Sequence, residues 1–106
     1  MSSMEQFSKV ELVVGTIQKI DDHPNADKLV VLKVDLGSET RQLVAGLKGY
    51  YETEALVGKQ IVVVTNLQPA TLRGVESNGM LLAAQDGDRV AVLTADAPVA
   101  PGSRIS

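Results

Sequence analysis

The chain has no cysteine and no tryptophan, and its only histidine is His23. Without cysteine there are no disulfides, no thiolate chemistry and no Cys-based zinc site. One histidine cannot form a His cluster, so no metal or other cofactor is expected. Aromatic residues are nearly absent: Phe7, Tyr50 and Tyr51 are all of them. The core must therefore come from Val, Leu, Ile and Ala, and β-branched abundance of this kind leans toward strands. No apolar run approaches the roughly 18 residues of a membrane span. The first residues, Met1-Ser2-Ser3-Met4-Glu5, lack the basic and apolar regions of a signal peptide. A soluble, cytoplasmic protein with no membrane partner is the expectation.

What remains is enough for one domain. At 106 residues, 44% hydrophobic and 22% charged, the chain can bury a core but not two. Its net charge of −3 argues at first against nucleic acid, yet the distribution is uneven. Residues 1–27 carry two cations against five anions, 28–73 six against four, and 74–106 two against four. A basic middle between acidic ends permits a local phosphate-binding surface. An ordinary mixed-charge surface would read the same way.

The apolar periodicity is that of strands. A first strand opens at 10–14, is interrupted by Gly15 and resumes over 16–20. A glycine inside a strand often marks a bulge or bend that curls a sheet. Asp21 to Asp27 is turn chemistry. A second strand over 28–36 sets Val30, Leu32, Val34 and Leu36 on one face and points Lys33 away from the core. A third spans 40–45. A short helix is predicted around 51–56, closed by Gly58. Strand four, 60–67, is apolar on both faces and should be covered on both. Residues 68–74 read as a loop, 79–84 as strand five, 89–93 as a further short strand, and Arg104-Ile105 as an added edge. This predicts an all-β, OB-fold five-stranded barrel, with a short helix between strands three and four and extra C-terminal strands that cover an edge or build a dimer interface.

The catalytic patterns are missing. Ser77, in Gly74-Val75-Glu76-Ser77-Asn78-Gly79, does not sit at nucleophile-elbow spacing, and no second histidine is available as base. The acidic pairs Asp21-Asp22 and Asp86/Asp88 fall in turns. No P-loop or dinucleotide fingerprint occurs. The chain is read as non-catalytic.

RNA binding is the sharper reading. OB-folds that hold single strands stack bases on aromatic side chains, and here those are undersupplied. A binder built this way would rely on phosphate, ribose and the shape of a structured RNA. Lys28, Lys33 and Arg41 on neighbouring strands suit that role, as does Arg73 before strand five.

Three segments carry a resemblance. They are His23-Pro24-Asn25-Ala26-Asp27-Lys28-Leu29 with Leu32-Lys33-Val34-Asp35-Leu36-Gly37, then Arg41-Gln42-Leu43-Val44-Ala45-Gly46-Leu47, then the run from Asn66 to Ala84. In this order, from about Phe7 to the end, they resemble the tRNA-binding domain found at the C-terminus of many methionyl-tRNA synthetases. That domain also occurs as a free-standing structure-specific tRNA-binding protein and in synthetase-associated cofactors of eukaryotes. The resemblance implies a homodimer formed through the C-terminal strands. It also implies recognition of the outer corner of the L-shaped tRNA without dependence on one anticodon, and possible partnership with methionyl-tRNA synthetase. Residues matching the family's RNA-contacting positions are Asn25, Lys28, Lys33, Arg41, Ser77 and Met80, with Asn66 and Arg73 nearby. Thr71 departs from the pattern, since many relatives carry lysine there.

Each residue has a plainer role open to it. Asn25 can shape the turn, Ser77 can cap the loop, Met80 can fill core, Lys33 and Arg41 can be solvated charges, and His23 reads as a loop residue with no special role. The function expected is a non-catalytic, structure-specific tRNA-binding module, delivering tRNA to an aminoacyl-tRNA synthetase or raising its affinity. The alternative is a CsaA-type chaperone that binds unfolded or exported polypeptides through an exposed apolar groove near strand four. The Met1 start and the complete barrel are expected of a stand-alone protein.

Overall fold

The computed structural model describes Met4 and residues 9–106. Phe7, where the resemblance begins, lies outside the described residues, as does all of segment 1–5 except Met4. The chain folds as β1 (Leu12–Asp22), β2 (Val30–Asp35), β3 (Thr40–Ala45), a 3₁₀ turn (Thr53–Leu56), β4 (Gln60–Val64), β5 (Ala70–Leu72), β6 (Val75–Ser77), β7 (Met80–Leu81), β8 (Ala83–Asp86) and β9 (Arg89–Val92). Five strands form one antiparallel sheet in the order β3-β2-β1-β4-β7. The sheet curls until the segment before β7 meets β3, where the Asn78 amide donates to the Gln42 carbonyl at 2.8 Å. The result is a nearly closed, all-β, OB-type barrel.

β1 makes the closure possible. Its first half, Leu12 to Thr16, pairs with β4 and its second half, Thr16 to Asp22, pairs with β2. The strand runs unbroken through Gly15, and the irregularity comes three residues later: Gln18 is the extra residue between the Ile17–Val34 and Lys19–Lys33 pairs. A bulge there increases local twist and bends the strand. Gly15 serves close approach instead, because a Cβ on it would collide with the Val34 and Leu36 side chains.

The core follows the predicted alternation. Val30, Leu32, Val34 and Leu36 all point inward and are buried, as are Ile17, Leu43, Leu56, Ile61 and Val63. In β4, Val62 and Val64 on the other face are buried too, so this strand is covered on both sides as its composition required. The helix predicted near 51–56 is a single 3₁₀ turn. One turn between Glu52 and Gly58 is too short for helix propagation to offset nucleation, and it serves to drop Leu56 into the barrel.

The predicted strand five is split at Leu82. Its amide donates to Val62, its carbonyl accepts from Leu93, and the Val62 amide in turn donates to Leu93. The chain thus leaves β4 at this corner and continues as the β8–β9 hairpin. The tail lies along β1: Gly102 donates to Val14, Val14 to Ser103 and Ile105 to Leu12, at 2.7–3.0 Å. Arg104 bridges Val13 as the edge reading anticipated. Gly102 (φ +90°) and Gly37 (φ +89°) press together where neither has room for a Cβ. Among the described residues no helix is long and apolar enough to cross a membrane.

Candidate nucleic-acid interface

Residues 68–74, read as a loop, contain a hairpin arm. β5 and β6 pair as Ala70–Ser77, Thr71–Glu76 and Leu72–Val75 around Arg73-Gly74. Arg73 (φ +54°) and Gly74 (φ +90°) both take positive φ, as the type I′ form of a two-residue hairpin turn demands of its central positions. Three-residue arms exposed along most of their length leave no apolar period to read, which is why sequence reasoning missed them.

The hairpin tip is tied to the loop between β1 and β2. His23 is 6% exposed. Its Nδ1 accepts the Asn25 amide proton at 2.9 Å, so the ring proton sits on Nε2 and is donated to the Leu72 carbonyl at 2.8 Å. Asn25 Nδ2 donates to the Arg73 carbonyl, and Arg73 Nη2 donates back to the Asn25 carbonyl, each at 3.2 Å. His23 is therefore a structural link, not an idle loop residue. Asn25 both shapes the turn and joins it to the hairpin.

The strand face between these two loops is set by register. Lys33 lies opposite Gln42, both outward, and Lys33 Nζ donates to Gln42 Oε1 at 2.6 Å. Gln42 Nε2 then reaches the Glu76 carbonyl of β6 at 2.8 Å. A continuous path of hydrogen bonds and short chain segments thus runs from Lys33 through Gln42 and the hairpin to Arg73 and Asn25. Exposed Lys28 ends the same loop. In an OB barrel, strands two and three with the β1–β2 and β4–β5 loops form the customary ligand face. The residues here occupy that face, with the hairpin in the second loop's position.

Other expected residues fall elsewhere. Arg41 pairs with Val34, so it shares the inward side of β3 with Leu43 and lies on the opposite sheet face from Lys33. Its side chain is 19% exposed. Nε donates to Glu39 at 3.0 Å and Nη1 to the Thr65 carbonyl at 2.6 Å. The hydrogen bond from Arg41, then its positive charge, holds the Glu39 carboxyl below the usual carboxylate range. Asn66 continues this cluster at the barrel end, accepting the Glu11 amide and donating to the Lys9 carbonyl. Lys48 is engaged by Asp22 at 2.7 Å.

Ser77 is buried, with Oγ accepting from the Val44 amide and donating to the Gly79 carbonyl, each at 3.0 Å. Its hydroxyl fastens the hairpin to β3. Met80, a possible core filler by sequence, is 49% exposed. With Leu67, Leu72, Val44 and Ala70 it lines an apolar groove of about 230 Å³ floored by Ser77 and Gly79. The exposed groove lies between β3, the hairpin and the segments that flank it. Leu67, the end of the predicted strand four, takes part, while the apolar residues of β4 itself (Gln60–Val64) are covered. Gln42, Leu67 and Leu72 were missed as part of this face. Strand parity alone could have found Gln42, because a residue opposite Lys33 must share its side.

Known proteins share this sequence pattern and this fold. Residues 12–104 match the family described as "Putative tRNA binding domain". The methionine–tRNA ligase of Thermococcus kodakarensis is 59% identical over 103 residues, which are 97% of this chain and 14% of that protein. This chain thus spans about one seventh of the length of that relative. Among solved structures, a MetRS related protein from Pyrococcus horikoshii superposes with a TM-score of 0.93 at 34% identity, covering 100% of this chain and 98% of that one. The chaperone CsaA of Bacillus anthracis str. Ames superposes with a TM-score of 0.92 at 28% identity, covering 100% and 99%.

Proposed function

The chain belongs to the tRNA-binding domain family, and from that membership we propose that it is a non-catalytic, structure-specific module that grips folded tRNA by backbone and shape. The observation that carries this reading is the connected face formed by Lys33, Gln42, Arg73 and Asn25, with Lys28 beside it. It offers cations and amides suited to phosphate and ribose, and among the described residues it offers no aromatic platform for bases. A folded RNA, which displays phosphates at fixed spacing on a rigid surface, matches such a face. The outer corner of the tRNA L is our assigned contact.

The module delivers tRNA to an aminoacyl-tRNA synthetase, methionyl first, or raises that enzyme's affinity in the cytoplasm. The likeness to a methionine–tRNA ligase supports this role. Tethering or association would raise the local tRNA concentration. Ser77, Arg41 and Asn66 contribute by shaping the surface, while Met80 meets the RNA itself.

Gel shifts with total tRNA, unstructured RNA and duplex DNA test the reading. Folded tRNA should bind best, with affinity falling steeply as salt rises. Lys33→Ala should weaken binding to many tRNAs alike and reduce the salt slope by about one. Equal affinity for all three nucleic acids, or a flat salt response, would overturn it.

A second reading, polypeptide binding, is favoured by the superposition with CsaA and by the apolar groove. Unfolded peptide displaces tRNA only if the two share a site.

A further inference from the structure

We propose that the groove between β3 and the β5–β6 hairpin takes a single unstacked nucleobase, so that the module reads one splayed base beside a phosphate-bound backbone. The inference rests on the tRNA reading above. Leu67, Leu72 and Met80 are 45%, 39% and 49% exposed, three large apolar side chains around one concavity. At about 230 Å³ it is smaller than the roughly 300–1,000 Å³ pockets that bury whole drug-sized ligands. One planar heterocycle is the matching scale. The Ser77 hydroxyl on the floor is spent on Val44 and Gly79, so the groove is apolar below, and exposed Gln68 at its margin supplies an amide for a base edge.

Charge decides for a nucleotide over an aliphatic side chain. Arg73 directly follows Leu72 in the hairpin. Lys33 approaches through Gln42, whose amide is bonded to Glu76, the neighbour of Ser77. Ala70, Leu72 and Ser77 line the groove, so by strand alternation Thr71 and Glu76 lie on the hairpin's other face. The one carboxylate in the hairpin therefore points away from the groove. That leaves Arg73, next to the Leu72 wall in sequence, and Lys33, joined to the hairpin through Gln42, as the charged groups linked to its walls. Their sign suits a backbone phosphate beside a bound base.

Aromatic stacking is scarce in this molecule. Tyr51 accepts the Val92 amide through its hydroxyl, and both tyrosines belong to the connection between β3 and β4. Met80 supplies a substitute, since a thioether makes favourable contact with aromatic rings.

The test uses the full chain and unfractionated tRNA. Leu67→Ser and Met80→Ser are compared with the parent by filter binding at one salt concentration, with dimethyl sulfate probing of bases and ethylation interference at phosphates. Thermal melts verify folding, and Met80→Leu, which keeps an apolar side chain, should retain most of the affinity. The expected result is about a fivefold or greater loss for the serine variants. One or two bases protected by the parent should regain reactivity, with the phosphate footprint unchanged. If the parent protects no base and the serine variants bind as it does, the groove assignment fails while tRNA binding stands. If the parent binds no tRNA, the functional reading fails first. If the serine variants abolish binding of an unfolded model peptide and leave tRNA untouched, the groove belongs to polypeptide and the proposal is overturned.

Discussion

Arg41 illustrates how a cation can be chemically suited to phosphate and still be occupied. Its guanidinium bridges Glu39 and the carbonyl of buried Thr65, the residue just after β4, so its removal acts on the barrel before it acts on RNA. Arg41→Ala should lower stability by about 1.5–3 kcal/mol through the lost charged hydrogen bond to the Thr65 carbonyl, measured by denaturant unfolding. The same variant should return the Glu39 carboxyl upward to its ordinary range, measured by NMR titration. The sign of the linkage follows from the lowered folded value. The Glu39 pairing contributes stability that is fully present above the ordinary carboxylate value and is lost as pH falls through the lower, folded one. Stability of the parent should therefore decline more than that of Arg41→Ala across this acidic window. Arg41 was legible as a candidate because it sits in a recognisable segment. Its inward orientation follows from strand parity with Leu43, but its acceptor, the Thr65 carbonyl, lies 24 residues away and is not displayed by any single stretch of sequence. Ser77 is a parallel case: the reading that it caps the loop anticipates its bonds, but its partner Val44 is 33 residues away.

At the scale of elements, β2 was readable because its apolar residues alternate without exception, and β3 was readable in extent, since the structure keeps it at Thr40–Ala45. The β5–β6 hairpin was not, since its shape is maintained from outside, by His23, Asn25 and Gln42. The corner at Leu82 was equally hidden, because it depends on Leu93 arriving from beyond β9. The external tie makes a prediction. His23→Ala removes the donor to Leu72 and should speed amide exchange in β5 and β6 about fivefold to tenfold, the effect of a buried hydrogen bond worth about 1–1.4 kcal/mol. Exchange in β2 and β4 should be unchanged. If the hairpin amides exchange at the parental rate, its geometry is intrinsic and the His23 link is incidental.

For the whole molecule, the sum of charge is a poor guide and the arrangement a better one: a chain of net charge −3 gathers Lys28, Lys33 and Arg73 around one face. The C-terminal strands bear on assembly. We propose a homodimer through this region, as the resemblance implies, because all four residues of β8 are exposed and so are Leu93 and Val99. On that proposal, Ala84→Glu should shift the chain toward monomer in light scattering coupled to gel filtration. The circular dichroism of the barrel should be retained, and an unchanged mass would remove the hairpin from the interface.

Leu12 and Ile105 are hydrogen-bonded neighbours, about one strand spacing, ~4.8 Å, apart. A polypeptide threading this domain enters and leaves through a single doorway. The barrel is in that sense a cassette: spliced into a surface turn of another protein, it asks the host to open by little more than the gap between two strands. Joined across that doorway by a few residues and reopened at Gly87-Asp88, it could be circularly permuted with the ligand face undisturbed.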